Sequence, residues 1–140
     1  MSSSSAVALA CRFQVGQWQE TGLNAADGVG ELKRASVVNV LSGPLEGEGQ
    51  LEYQLLYPVK PGGDAVFIGY ERVTASWGDR RGSFVLKHDG VYSPSAGVSG
   101  RLTVVADSGG GDFAGLSGDG RIVARAGEQG GEYLLTLRLG

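Results

Sequence analysis

Apolar and polar residues alternate one by one over several stretches of the chain. In residues 6–15 the odd positions are apolar, and the positions between them include Arg12 and Gln14. Successive side chains of a strand point to opposite faces, so this period of two predicts a half-buried strand. Apolar residues nowhere hold a period of 3.6 over three helical turns. The pattern therefore predicts an all-β protein.

Glycine separates the alternating stretches at short intervals, and the chain contains 25 glycines. Short strands between turn residues are typical of antiparallel barrels and sandwiches. An even number of comparable strands favours an up-and-down barrel, which leaves no sheet edge exposed. We predict a single antiparallel eight-stranded β-barrel over residues 6–140, preceded by a disordered tail at 1–5. Its strands are expected at 6–15, 35–42, 50–57, 65–77, 82–88, 99–106, 120–126 and 132–139.

Two ionisable residues interrupt the apolar faces of neighbouring strands. Glu71 shares a face of strand 65–77 with residues that are otherwise apolar or glycine. In strand 82–88, His88 shares a face with Phe84 and Leu86. A charge that faces a core is costly unless it is paired or neutralised. Glu71 and His88 are therefore the principal candidates for catalytic residues.

The register of these two strands decides whether the two side chains meet. Residues 78–81 read as a four-residue hairpin loop, which would pair Trp77 with Gly82 and place Glu71 opposite His88. Directly opposed residues have Cβ atoms about 4.5–5.5 Å apart. Such a pair has two interpretations that the sequence leaves open. It is either a proton-transfer couple or a buried pair in which each side chain satisfies the other.

The remaining inward positions predict a ligand pocket with apolar walls and a few directed polar groups. Strand 35–42 is ambiguous, because Val37, Asn39 and Leu41 compete with Val38 and Val40 for the inner face. We expect the pocket to be lined by Asn39, Tyr53, Tyr57, Phe67, Val73, Trp77, Phe84, Leu86 and Tyr133.

Composition and charge narrow the classes of function. A formal net charge of −3 and the lack of a basic stripe argue against a nucleic-acid partner. No stretch approaches the roughly 18 apolar residues of a membrane helix, and the first residues lack the basic segment of a signal peptide. One cysteine and one histidine, far apart in sequence, argue against a disulfide and a metal site. We expect a cytoplasmic protein without a cofactor or bound metal.

A glycine-rich segment at 108–120 contains no Gly-Lys-Ser/Thr motif and carries two aspartates, which would repel phosphate. The sequence favours a flexible loop over the mouth of the barrel.

Five segments resemble a bacterial family of small proteins known only as a domain of unknown function (family 3224). They are Gly-Pro-Leu-Glu-Gly at 43–47, Gly-Tyr-Glu-Arg-Val-Thr at 69–74, Gly-Ser-Phe-Val-Leu-Lys-His-Asp-Gly at 82–90, Val-Val-Ala-Asp-Ser-Gly at 104–109 and Phe-Ala-Gly-Leu-Ser-Gly-Asp-Gly at 113–120. The resemblance runs from about residue 11 to the end of the chain. It implies a barrel of the allene oxide cyclase type, a calycin-like relative of the lipocalins.

The chain departs from the family pattern at two places. The family's Ser-Gly-Thr-Gly turn reads Ser-Gly-Gly-Gly at 108–111, and Lys87 stands where the family has glutamine. The family carries no established activity, so the resemblance implies a fold and leaves the function to the site.

Three functions remain open on these grounds. The first is a cofactor-free isomerase or cyclase for a small hydrophobic, partly oxygenated metabolite, with Glu71 as the acid/base group, His88 as its partner and tyrosines orienting oxygen atoms. The second is a non-catalytic carrier of the lipocalin kind. The third is a filled barrel that binds another protein. The ionisable pair favours the enzyme slightly, because a carrier of apolar ligands does not require it. A homodimer through outer faces or loops is also possible.

Overall fold

The computed structural model describes residues 5–23, 26 and 28–140, so residues 1–4 of the predicted tail lie outside the described part. The described residues form nine strands and no helix. The strands are β1 (Val7–Gly22), β2 (Glu31–Ser42), β3 (Leu45–Tyr57), β4 (Ala65–Trp77), β5 (Arg80–Ser93), β6 (Gly97–Val104), β7 (Gly110–Gly111), β8 (Ser117–Ala124) and β9 (Gly130–Arg138). Over these residues, nothing helical is long and apolar enough to cross a membrane.

Eight of these strands close into an antiparallel barrel in which neighbours in sequence are neighbours in space. The order runs β1-β2-β3-β4-β5-β6-β8-β9, and β9 pairs with β1 to complete the ring. The two residues of β7 pair with Gly82 and Ser83 at the start of β5, and β7 is not one of the eight barrel strands. The prediction of an all-β, eight-stranded antiparallel barrel is confirmed.

Several strands are longer than predicted because glycines lie inside them. Gly47 and Gly49 fall within β3 and not in a turn before it. A Cβ atom at Gly47 would collide with the backbone of Thr74 on β4. Glycine within a strand often marks a place where a neighbour approaches closely. The prediction of a turn at Gly47 and Gly49 was therefore wrong.

The hairpin between β4 and β5 also differs from the prediction. Its loop has two residues, so that Trp77 pairs with Arg80 instead of Gly82. Gly78 has a φ of +62°, which the first loop residue of a type II′ turn requires. The register is shifted by two residues, and a shift of two leaves every side chain on its predicted face.

The barrel interior has two halves of different character. One half is filled by a cluster that includes Leu45, Val73, Phe84, Leu86 and Leu137. The other half is lined by a smaller cluster of Ala35, Val37, Leu51, Tyr53, Leu55 and Phe67.

The filled half is closed by the glycine-rich segment. Phe113 and Leu116 are buried there. The rings of Phe113 and Phe84 form a T-shaped pair with their centroids 5.5 Å apart. The segment therefore lies at the end of the barrel that side chains fill, and not over an open mouth.

Candidate functional site

Glu71 lies at the middle of the barrel with no exposed surface. Its carboxylate occupies space that Gly49 on β3 leaves open, and a Cβ atom at Gly49 would collide with the carboxylate. The alternation of β4 directs Glu71 inward, between Gly69 and Val73 on the same face. A glycine on the adjacent strand therefore makes room for a buried carboxylate.

Three side chains from three other strands converge on this carboxylate. His88 Nε2 lies 2.9 Å from Oε1, and the Tyr133 hydroxyl donates to the same oxygen at 2.9 Å. Asn39 Nδ2 donates to Oε2 at 3.3 Å and to the Tyr133 oxygen at 3.0 Å. An ionised carboxylate is purely an acceptor, so a set of three donors satisfies it without water.

His88 continues the network toward the other half of the barrel. It is also fully buried, and its Nδ1 lies 3.1 Å from the hydroxyl of Tyr53. Both ring nitrogens are satisfied when Nε2 carries the hydrogen toward Glu71 and Nδ1 accepts the hydrogen of Tyr53. Gly69 supports this arrangement, since a Cβ atom there would collide with Glu52 and press on the ring of Tyr53.

The two tyrosines of the network are held in the neutral form. Burial raises the pKa of Tyr53 far above its usual value, and the charge of Glu71 raises it further. Burial likewise raises the pKa of Tyr133 well above 10, with Glu71 as the second cause. Both phenols are therefore hydrogen-bond donors over the physiological range of pH.

A cavity of about 680 Å³ occupies the open half of the barrel. Most of its wall is apolar or aromatic, with contributions from Phe13, Val15, Trp18, Val37, Leu55, Tyr92 and Val98 among others. Asn39 and Tyr53 also line it, so the buried network reaches the cavity through these two side chains. Glu71 and His88 lie behind them and do not line the cavity.

The structure separates the side chains that were predicted to line a pocket into two groups. Asn39, Tyr53, Tyr57 and Phe67 line the cavity. Tyr133 belongs to the filled half, where its hydroxyl contacts Glu71. Val73, Phe84 and Leu86 pack in the filled half, and Trp77 packs against it. The ambiguity of β2 is also resolved, because Val37, Asn39 and Leu41 are buried while Val40 is 52% exposed.

Sequence reasoning missed Trp18 and Glu20, which line the cavity near its rim. Strand β1 continues beyond residue 15 to Gly22, and a bulge between Val15 and Gln17 interrupts its pairing with β2. The extra residue reverses the alternation, so that even positions face inward after the bulge. Gly16 within the alternating pattern is the sequence signal that could have indicated it.

The rim is organised around the carboxylate of Glu20. Trp18 Nε1 and the hydroxyl of Tyr57 both donate to its Oε1, at 2.9 and 3.2 Å. Lys33 Nζ lies 3.4 Å from Oε2 and 5.2 Å from the centre of the Tyr57 ring. Burial, followed by the charge of Glu20, raises the pKa of Tyr57 to about 12.

Comparisons with known proteins agree with this architecture. The model of the family described as "Protein of unknown function (DUF3224)" matches residues 9–137. A crystal structure of a protein of unknown function from the DUF3224 family of Shewanella oneidensis MR-1 is similar, with a TM-score of 0.76 and 26% sequence identity. The similarity covers 97% of this chain and 99% of that chain. Curated proteins gave no match.

Proposed function

The chain belongs to the DUF3224 family, and from the geometry of its barrel we propose that it binds a small hydrophobic metabolite in the open half. The observation that carries this proposal is the cavity of about 680 Å³, whose wall is mainly apolar and aromatic and which the buried hydrogen-bond network reaches through Asn39 and Tyr53. Small-molecule pockets typically have volumes of about 300–1,000 Å³, with a few placed polar groups among apolar side chains. The calycin-like fold that the family resemblance implies would agree with such a role without assigning a ligand.

The division of the barrel supports binding over a purely structural interior. Side chains fill one half, with Phe84, Leu86, Leu102 and Phe113 at 0% exposure. In the other half, small residues such as Ala65 and Ala124 leave the space open. An eight-stranded barrel either fills itself with side chains or holds one small ligand. In this barrel, side chains fill one end, and the other end has room for a small ligand.

A substitution that fills the cavity tests the proposal. Ala124 lines the cavity on β8, and Val123 beside it faces the other side of the strand. Ala124→Phe places a ring in the cavity, whereas Val123→Phe places one on the outer side. Wild-type protein is incubated with an extract of the producing cells, separated from free metabolites, denatured and analysed by mass spectrometry.

We expect wild type and Val123→Phe to retain the same metabolite and Ala124→Phe to lose it. Circular dichroism checks that both variants are folded. Equal retention by all three proteins, or no retained metabolite with wild type, would contradict binding in this cavity.

A second candidate is a cofactor-free isomerase or cyclase. The observation that favours it is the continuous chain from the Tyr53 hydroxyl through His88 to Glu71, with contacts of 3.1 and 2.9 Å. The relay requires Glu71 in its acid form and the hydrogen of His88 on Nδ1, which is the other tautomer. Tyr53 then passes its proton to the substrate, Nδ1 passes one to the Tyr53 oxygen, and Oε1 passes one to Nε2. Return of a proton to Tyr53 reverses these transfers, so an isomerisation leaves the protein unchanged. In this mechanism Tyr53 contacts the substrate, and His88 and Glu71 act from behind it.

The enzyme is distinguished from the carrier by a change of the bound metabolite at constant mass. We expect Tyr53→Phe to retain the metabolite but to stop its conversion. Tyr92→Phe is the matched control, because Tyr92 also lines the cavity while no hydrogen bond joins its side chain to the network within the described residues. Conversion by Tyr53→Phe at the wild-type rate would exclude Tyr53 as the acid/base group. If the wild-type protein retains the metabolite and forms no new product, the protein is a carrier.

A further inference from the structure

The side-chain oxygen of Asn39 has no hydrogen-bond partner among the described residues. Asn39 is only 2% exposed and lines the cavity. Almost all buried polar groups in folded proteins are hydrogen-bonded, and each exception needs an explanation. A ligand that supplies the missing donor is one explanation, because this unsatisfied acceptor belongs to a residue of the cavity wall.

The orientation of this amide is fixed by its neighbours. Nδ2 has two hydrogens, and they are directed to Glu71 Oε2 at 3.3 Å and to the Tyr133 oxygen at 3.0 Å. Exchanging the amide oxygen and nitrogen would put two acceptors, Oδ1 and the carboxylate, against each other. Oδ1 is therefore the atom of the amide that is left without a partner.

Tyr53, the other member of the buried network that lines the cavity, has the same preference. When Tyr53 donates to Nδ1 of His88, its oxygen retains only lone pairs for the cavity. A ketone, an epoxide or a carboxylate would present further acceptors to these two acceptors. An N–H group matches them instead.

The charges around the cavity favour a cation. Glu20 and Glu128 line it, and no lysine or arginine does so in the part of the chain that the structure describes. Lys33 contacts Glu20 at the rim, where both side chains are partly exposed, at 30% and 26%, and solvent screens the pair. A further carboxylate, Glu71, lies directly behind Asn39.

The aromatic rings of the wall add to this preference. They belong to Phe13, Trp18, Tyr53, Tyr57, Phe67 and Tyr92. A cation is attracted to the face of an aromatic ring, and more strongly where water is excluded. Apolar aromatic surface and carboxylates together are complementary to a hydrophobic cation.

We propose that the ligand of this barrel is a hydrophobic amine, bound as the ammonium ion, with an N–H group donating to Oδ1 of Asn39. The proposal rests on the binding function proposed above and names the chemical class of the ligand. Its aliphatic or aromatic body occupies the apolar wall, and its charge is balanced by the carboxylates of the site. An ammonium group has donors and no acceptor, which matches Oδ1 of Asn39 and the oxygen of Tyr53.

Three probes with one carbon skeleton test the proposal. They are 4-phenylbutylamine, 4-phenylbutan-1-ol and 4-phenylbutanoate, titrated at neutral pH and low salt. The readouts are calorimetry and the change in tryptophan fluorescence, to which both Trp18 in the cavity wall and Trp77 contribute. We expect the amine to bind at least about tenfold more tightly than the carboxylate, with the alcohol between them. Equal affinities, or tighter binding of the carboxylate, would overturn the amine proposal while leaving the binding function intact. If none of the three binds, the binding function fails together with the amine proposal.

Two substitutions localise the preference. Asn39→Leu removes the acceptor and is expected to reduce the amine affinity about tenfold, with circular dichroism to check folding.

Glu128→Gln keeps the exposed side chain and removes its charge. We expect it to weaken amine binding about two- to threefold at low salt and to have no effect at high salt. Glu132→Gln on the outer side of β9 is the control with unchanged affinity. An amine affinity unaffected by both Asn39→Leu and Glu128→Gln would overturn the proposed site, and if Asn39→Leu does not fold, Glu128→Gln and the probe ranking decide.

Discussion

Oε1 of Glu71 lies 2.9 Å from Nε2 of His88, although the two residues do not face each other across the β4–β5 ladder. Glu71 is opposite Leu86, and His88 is opposite Gly69. The contact is therefore diagonal, and the two long side chains span it on the inner face. With both groups at 0% exposure, the pair depends on neighbouring side chains for its remaining hydrogen bonds: Tyr133 and Asn39 for Glu71, and Tyr53 for His88.

The first prediction concerns the coupling of this pair. Removing one partner of a buried pair leaves the other unsatisfied and costs about 3–5 kcal/mol of the free energy of unfolding. We expect Glu71→Leu and His88→Leu each to be destabilising by about that amount. The free energy of unfolding of the double variant should fall by about 1–3 kcal/mol less than the sum of the two single losses, as measured by urea denaturation.

A matched control for this cycle lies on the same hairpin. The hydroxyls of Thr74 and Ser83 are 3.0 Å apart on the exposed face. We expect a coupling below about 0.5 kcal/mol between Thr74→Val and Ser83→Ala, because water replaces an exposed hydrogen bond. Additive effects at Glu71 and His88 would contradict the buried contact.

The second prediction concerns the space that Gly49 provides. Gly49→Ala places a methyl group where the carboxylate of Glu71 lies. Overpacking combined with a displaced buried charge should lower the free energy of unfolding by about 2–4 kcal/mol. Gly22→Ala on β1 is the control, because nothing lies within 4 Å of the added Cβ atom. A Gly49→Ala variant as stable as Gly22→Ala would show that Glu71 does not occupy this space.

The third prediction concerns alkaline pH. The pKa values of Tyr53 and Tyr133 are raised in the folded protein, whereas both phenols titrate near 10 in the unfolded chain. Their contribution to stability is therefore complete below about pH 10 and is lost as the pH rises beyond it, by up to about 1.4 kcal/mol per pH unit for each phenol.

Urea denaturation at pH 8, 10 and 11 measures this loss. The double variant Tyr53→Phe/Tyr133→Phe should be less stable at pH 8 but should lose less stability between pH 10 and 11 than wild type. Tyrosinate absorbance at pH 10.5 should be the same in the folded wild type and the folded variant, because neither buried phenol ionises there. A lower absorbance in the variant would contradict the raised pKa values.

The fourth prediction concerns the closed end of the barrel. Phe113 lies in a glycine-rich segment but has no exposed surface and packs against Phe84. Phe113→Ala should cost about 3–5 kcal/mol of the free energy of unfolding, as for a phenylalanine of a core. Ala114→Ser, at an exposed neighbouring position, should change stability by less than about 0.5 kcal/mol. Thermal and urea denaturation compare the two variants. If Phe113→Ala lowers the free energy of unfolding by less than about 1 kcal/mol, the segment does not seal the barrel.

The alternation of apolar and polar residues by itself determined the all-β class, the number of barrel strands and the inward direction of Glu71, His88, Tyr53 and Tyr133. These features are local, because a strand has a period of two wherever it lies in the fold. The same alternation gave the inner face of β4 and β5 in spite of the wrong register, since a shift of two residues preserves the faces.

Tertiary structure decided which inward residues meet and which face a cavity. The contact of Glu71 with Tyr133 joins positions 62 residues apart, and no local period encodes such a distance. The open half of the barrel, the bulge at Gly16 that turns Trp18 and Glu20 inward, and the seal formed by Phe113 likewise depend on how strands pair and close around the ring. The physical reason is that sequence fixes the direction of a side chain along one strand, whereas its neighbours are set by packing between strands.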